Sequence, residues 1–196
     1  MITITSLIMM KTNGDIIREL IGDVCNNDLI AFLNDNNYFT CPASVKHHGN
    51  ETGGLFQHSV VVAKTLIDIT NKMGLVWQRK ESPAIIGLFH DICKTDDYVY
   101  VVDSPGKELF GGAVVNEAGH WDYNPEPIVK GHGDKSVLIL SIVLQLTEEE
   151  MYCIRFHMGA FTDSSEWKFY TNAVHKFPNV LWTHQADMIA AHCLGV

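Results

Sequence analysis

A histidine and an aspartate, His90–Asp91, stand together inside the apolar run AIIGLFHDICK, residues 84–94. Its spacing predicts a buried helix from Ser82 to about Lys94, with Ser82 as N-cap and Pro83 at the first helical position. Two side chains that bind metals strongly are costly in such a place unless something pairs them. The fold must therefore bring polar partners to this helix. The chain offers them in a definite order: His58 before it, then His132, His157 and Asp187, each at or near an expected helix. The expectation is a set of helices converging on one polar point, a metal centre.

The remaining elements follow from periodicity and punctuation. Residues 1–10 alternate loosely, as an edge strand or a frayed arm would. Residues 15–24, 27–35 and 55–73 carry helical apolar spacing. The stretch YVYVVD is short, β-branched and aromatic. GKELFGGAVV, after Ser104-Pro105-Gly106, is its expected hairpin partner. Helices resume at Asp134, at Thr147 (which forms a capping box with Glu150), near Ser164 and near Pro178. The reading is a mainly α fold with a small β-hairpin insertion around 97–115. No repeat or low-complexity linker divides the chain. One domain is expected over 1–196, with a core at about 40–190 and a helical N-terminal extension at 1–39.

Composition narrows the function. Of 196 residues, 46% are hydrophobic and 19% charged, the balance of a compact globular protein. The net charge is −9, and the fourteen Lys and Arg residues are scattered. A protein that tracks a nucleic-acid backbone needs a basic face, so a small phosphorylated substrate suits this chain better than a long polymer. Cys25, Cys41, Cys93, Cys153 and Cys193 are odd in number, widely spaced and without a CxxC, which argues against a disulfide framework or a cysteine-type zinc knuckle. The opening MITITSLIMMK lacks a positive leading region and a cleavage site, and no stretch has the length to span a bilayer. A cytoplasmic protein without a membrane partner is expected.

Imidazoles and carboxylates together suit a divalent ion whose site keeps positions open for water. Lys94 follows His90 by four residues and Asp91 by three, so on a continuous helix it shares their face. A cation beside a metal is unfavourable unless an anion joins them, which suggests a phosphate oxygen as the common partner. His157 is expected at a helix C-terminus, and Asp187 lies among Ala186, Ala190 and Ala191. His47, His120, His175, His184 and His192 read as structural, with His184 able to share the Asp187 side. Lys46, Lys135 and Arg155 stand close to ligand positions and are candidates for a second phosphate, although each reads more readily as a solvated charge. Trp121 and Tyr123 are candidates to stack on a base.

The order His…His-Asp…Asp, carried by GGLFQHS, LFHDICK and ADMIAA, resembles the HD-domain superfamily of metal-dependent phosphohydrolases. GHGDKS and IRFHMG resemble the branch with two further histidines, which holds a pair of metals. KHHGNETGGLFQHS is similar to the HD domain of YhaM-type 3′→5′ exonucleases, and His48 matches a histidine common in that subgroup, a substrate-binding candidate. The resemblance covers about residues 40–190. It implies an all-helical core with the metals between helices. His58, His90, Asp91 and Asp187 would hold the first ion. Asp91 would bridge to a second held by His132 and His157, and Lys94 would face the substrate phosphate.

The implied reaction is hydrolysis of a nucleotide-type phosphoester by a metal-bridging hydroxide, with Asp91 and Lys94 catalytic and the ions drawn from Mn, Fe, Co, Ni or Zn. Alternatives within hydrolysis are a 3′→5′ exonuclease acting on short nucleic acid and a cyclic (di)nucleotide phosphodiesterase. From other classes come an HD-type di-iron oxygenase and a non-catalytic nucleotide-binding module. No stretch of 1–196 resembles the nucleic-acid-binding domain of those exonucleases, which argues against polymer cleavage, and the insertion at 97–130 aligns with no obvious family counterpart.

Overall fold

The computed structural model describes residues 11–46, 49–103 and 119–196. The expected strand or arm at 1–10 and His48 lie outside the described residues, as does the proposed hairpin partner within 106–115. The chain opens with α1 (Asn13–Ile21), whose Thr12 and Asp15 form a reciprocal capping box, and α2 (Asn27–Asp35), capped by the side chain of Asn26. The long α3 (Gly54–Met73) and the short, wholly buried α4 (Ser82–Phe89) follow. Next come the single turn α5 (Lys94–Asp97) and the strands β1 (Tyr98–Val102) and β2 (Gly119–Tyr123). The chain then continues through α6 (Gly133–Leu140), α7 (Glu148–Arg155), α8 (Trp167–Lys176) and α9 (Asn179–Ile189), ending in a π-helical turn, Ala190–Leu194.

The architecture is mainly helical with one small antiparallel sheet, as the sequence predicts. β1 and β2 pair with Tyr98 opposite Tyr123 and Val102 opposite Gly119. The strand that pairs with β1 thus starts at Gly119, beyond the segment that the sequence favours. The reason lies in side chains: Tyr100 packs edge-on against Trp121, and Tyr98 against Tyr123. Cross-strand aromatic pairs of this kind stabilise a two-stranded sheet by about 0.2–1 kcal/mol each. Among the described residues no helix is long and apolar enough to cross a membrane.

α4 is the central rod of the molecule and packs against α1, α3, α7 and α9. Its approach to α3 is backbone to backbone. A Cβ on Gly87 would stand 2.3 Å from Ala63 Cα, so only glycine lets the helices come this close. That closeness sets His58 on α3 beside His90, one turn beyond Gly87.

The helix expected to reach Lys94 stops at Phe89. At His90 the amide still bonds four residues back, to Ile86 (2.9 Å), but Ile92 bonds only three back, to Phe89 (3.2 Å), and Lys94 to Asp91 (3.1 Å). This tightening releases carbonyls that a continuous helix would use. The His90 ring takes that of Gly87 through Nδ1 at 2.9 Å, and the buried Tyr38 hydroxyl donates to that of Leu88. One distant and one neighbouring side chain thus satisfy the broken ladder, and apolar periodicity registers neither.

The opposite end of α4 is fixed by a buried carboxylate. Glu150 accepts from Arg79 Nε (2.6 Å) and Nη2 (2.7 Å), from Ser82 Oγ (2.8 Å) and from the Thr147 amide (2.9 Å). This staple joins the N-termini of α4 and α7. Their C-termini then carry His90–Asp91 and His157 to a common point.

Candidate metal centre

Six side chains from five parts of the chain meet between the helices. His58 comes from α3, His90 and Asp91 from the turn after α4, His132 from the residue before α6, His157 from just beyond α7, and Asp187 from α9. His58 Nε2 lies 3.3 Å from His90 Nε2, 3.2 Å from Asp187 Oδ1 and 4.0 Å from Asp91 Oδ2. His90 Nε2 is 3.7 Å from both Asp91 Oδ2 and Asp187 Oδ1. On the other side, Asp91 Oδ1 is 2.7 Å from His132 Nε2 and 3.2 Å from His157 Nε2. The two oxygens of Asp91 therefore face two different pairs of imidazoles.

The outer nitrogens explain why this arrangement calls for a cation. His58 Nδ1 bonds to the carbonyl of Val196 (2.9 Å), His90 Nδ1 to that of Gly87 (2.9 Å) and His157 Nδ1 to that of Ile154 (2.7 Å). A carbonyl only accepts, so each of these Nδ1 atoms carries its hydrogen. In the neutral rings, Nε2 is then a bare lone pair aimed at other lone pairs and at carboxylate oxygens. Without a positive charge between them these contacts repel, and a buried polar atom left unpaired costs about 1–3 kcal/mol. His157 Nε2 is such an atom, fully buried and without a hydrogen-bond partner. The donor set fits a metal: clusters drawn from His58, His90, Asp91, His132, His157 and Asp187 bring their ligand atoms within 4.8 Å of one another and could hold an ion.

Electrostatics tell the same story for protons. Burial works against the charged form of His90, but the Asp91 charge and a hydrogen bond to Asp187 outweigh it and raise its pKa. Burial likewise opposes charge on His132, yet Asp91 beside it pushes the ring up to about 11. For His157 burial prevails and its pKa falls. Burial also disfavours charge on Asp91, but Lys94, His90 and His132 hold it well below the usual carboxylate range. Asp187 is lowered in the same way, its burial outweighed by the bonds to His58 and His90. The centre draws in positive charge of whichever kind is supplied.

Lys94 adds a charge that the ligands do not need. Its Nζ lies 2.5 Å from Asp91 Oδ2, inside a cavity of about 560 Å³ that His58, Asp91, His132 and Asp187 also line. Tyr98, Met158 and His192 form part of the same wall. Burial raises the Tyr98 phenol to about 12, although Lys94 works the other way, so the hydroxyl keeps its proton at neutral pH.

The other cationic candidates are placed elsewhere. Lys46 rests over the Tyr123 ring, 5.0 Å from its centre. Lys135 is fully buried and bonds Asp97 (2.6 Å) and Asp96, fastening α6 to α5 instead of facing the cavity. Arg155 pairs with Asp134 and Glu166 (2.7 Å) and lies over Phe156, in a separate cleft of about 760 Å³ bordered by α6, α7 and α8. Trp121 and Tyr123 are engaged with Tyr100 and Tyr98.

His184 has the structural role expected of it: Nδ1 donates to the carbonyl of His157 (2.8 Å) and so holds that turn. Two contributors escaped the sequence reading. Val196 supplies the carbonyl that orients His58, and Cys93 lies with its Sγ 3.3 Å from His132 Nδ1. The only local hint was the position of Cys93, two residues after Asp91. Comparison of the chain with family models, with curated proteins and with solved structures gave no match.

Proposed function

We propose that this protein is a metal-dependent phosphohydrolase that holds two divalent ions and cleaves a phosphoester of a small, nucleotide-type substrate. The observation that carries this reading is the Asp91 carboxylate, turned with one oxygen to each of two imidazole pairs at the floor of a cavity that Lys94 enters. His58, His90, Asp187 and Asp91 Oδ2 would hold one ion, and His132, His157 and Asp91 Oδ1 the other. Bound there, the ions supply Lewis-acid charge to phosphoryl oxygens and acidify water at neutral pH.

The remaining work falls to the chain's own groups. Lys94, already hydrogen-bonded to Asp91, offers its ammonium to an anion arriving in the cavity and stabilises charge that develops on it. Tyr98 keeps its hydroxyl proton and can donate it as a hydrogen bond to the substrate. The cavity volume of about 560 Å³ lies in the range of small-molecule sites. Net charge −9 disfavours a long polyanion.

The test is a panel of nucleotides and cyclic nucleotides offered to protein loaded with manganese, cobalt, nickel or zinc. Metal-dependent release of phosphate or of a nucleotide product is expected, reduced roughly a hundredfold or more in Asp91→Asn. Equal turnover in that variant would remove the assignment. Oxygen consumption by the iron-loaded protein without phosphoester cleavage would make it an oxygenase. Tight nucleotide binding with no turnover would make it a binding module.

A further inference from the structure

His132 differs from the other three imidazoles in what its outer nitrogen meets. Their Nδ1 atoms are closed off by backbone carbonyls, whereas that of His132 faces the sulfur of Cys93 at 3.3 Å. Cys93, His132 and Asp97 each bring one ligand atom within 4.8 Å of the others. A tetrahedral zinc ion with bonds of about 2.3 Å to sulfur and about 2.0 Å to nitrogen would separate those two donors by about 3.5 Å. The observed separation is close to that edge.

We propose that Cys93, His132 Nδ1 and Asp97 form a distinct site for a thiophilic divalent cation of the zinc or cadmium kind, and that filling it withdraws His132 from the Asp91 centre. A neutral imidazole has one bare nitrogen. When Nδ1 takes the cation, Nε2 keeps its hydrogen and donates to Asp91 Oδ1, which already lies 2.7 Å away. The ring therefore serves one site or the other. As the bonds to the cation form, two protons leave to solvent, that of the Cys93 thiol and that on Nδ1 of the protonated His132 ring. Asp97 shares Lys135 with Asp96, so the ammonium keeps a carboxylate when Asp97 turns to the ion. Thiolate, imidazole and carboxylate together favour zinc and cadmium over manganese or magnesium.

Cadmium is the probe, in a chain carrying Cys25→Ser and Cys193→Ser so that the partly exposed and exposed thiols are gone. Titration of the metal-free protein is expected to raise the ultraviolet thiolate-to-cadmium charge-transfer band. The band should vanish in Cys93→Ser, persist in Cys41→Ser and Cys153→Ser, and need roughly tenfold or more cadmium in Asp97→Asn. No band, a band that survives Cys93→Ser, or an Asp97→Asn titration that matches the parent would overturn the site. Should Cys93→Ser fail to fold, the Asp97→Asn titration decides. The withdrawal of His132 is read separately, by the manganese resonance signal. Of the manganese bound beforehand, the ion assigned to His132 and His157 should be released as the band grows while the other stays, and retention of both would overturn the exclusion. This arm rests on the metal centre alone and is indifferent to whether the protein hydrolyses anything.

Discussion

Each imidazole of the candidate centre is defined by two contacts, one inward and one outward. His90 and His157 share a device: each follows a helix and turns Nδ1 back onto the carbonyl three residues earlier, Gly87 and Ile154, leaving Nε2 to point inward. Removing either ring should cost ions selectively. His58→Ala and His157→Ala are each expected to retain one ion fewer than wild type after dialysis, and Asp91→Asn to retain neither, as counted by elemental analysis. Acidity gives a second check. The pKa of His132 is raised from the ordinary 6.5 to about 11 in the metal-free fold. It therefore contributes stability in full below about pH 6.5, and loses it as pH climbs toward about 11. Asp91 and Asp187 are lowered, so their contribution is present above the ordinary carboxylate value and fades as pH falls below about 4. Thermal melts of the metal-free chain should decline on the alkaline side, and bound metal should abolish that decline. A metal-free melt that stays flat from pH 7 to 10 would contradict the charge balance described for His132.

At the scale of elements, the centre depends on how closely short helices approach. A Cβ on Gly133 would sit 2.1 Å from the carbonyl oxygen of Arg155, so α6 lies against the end of α7 with no room for a side chain. Gly133→Ala must push α6 outward and carry His132 away from His157. Overpacking of this kind costs about 1–3 kcal/mol. We expect that loss in denaturant titrations, together with loss of the ion assigned to His132 and His157 while the other is kept. Local signals placed most helices well. Thr147 with Glu150 is a capping box in the sequence and in the fold, because its partners are three residues apart. The end of α4 was not legible, since the Tyr38 hydroxyl reaches it from far along the chain and apolar periodicity does not register the His90 ring turning back on Gly87. The same holds for Lys135, which reads as a surface charge until Asp96 and Asp97 are folded over it.

Across the whole molecule, stability and chemistry are held at opposite ends of the same helices. The carboxylate of Glu150 clamps Arg79, Ser82 and the start of α7, and Glu149 bonds Asn179 Nδ2 (2.8 Å) at the start of α9. Glu150→Ala would leave Arg79 and Ser82 without their acceptor. A loss of about 3 kcal/mol is expected, because breaking one side of a buried pair costs about 3–5 kcal/mol and Arg79 is partly exposed. The variant should unfold at lower denaturant yet bind the same number of ions while folded. Unchanged stability would show that the staple is not needed. By itself the sequence determined which side chains can ligate, their order, and the mainly helical frame, because side-chain chemistry and periodicity are local properties. The tertiary structure alone decided which nitrogen of each ring faces inward, how the oxygens of Asp91 are divided, and that Cys93 stands behind His132. Those choices are made by carbonyls, hydroxyls and backbones that reach the site from distant parts of the chain.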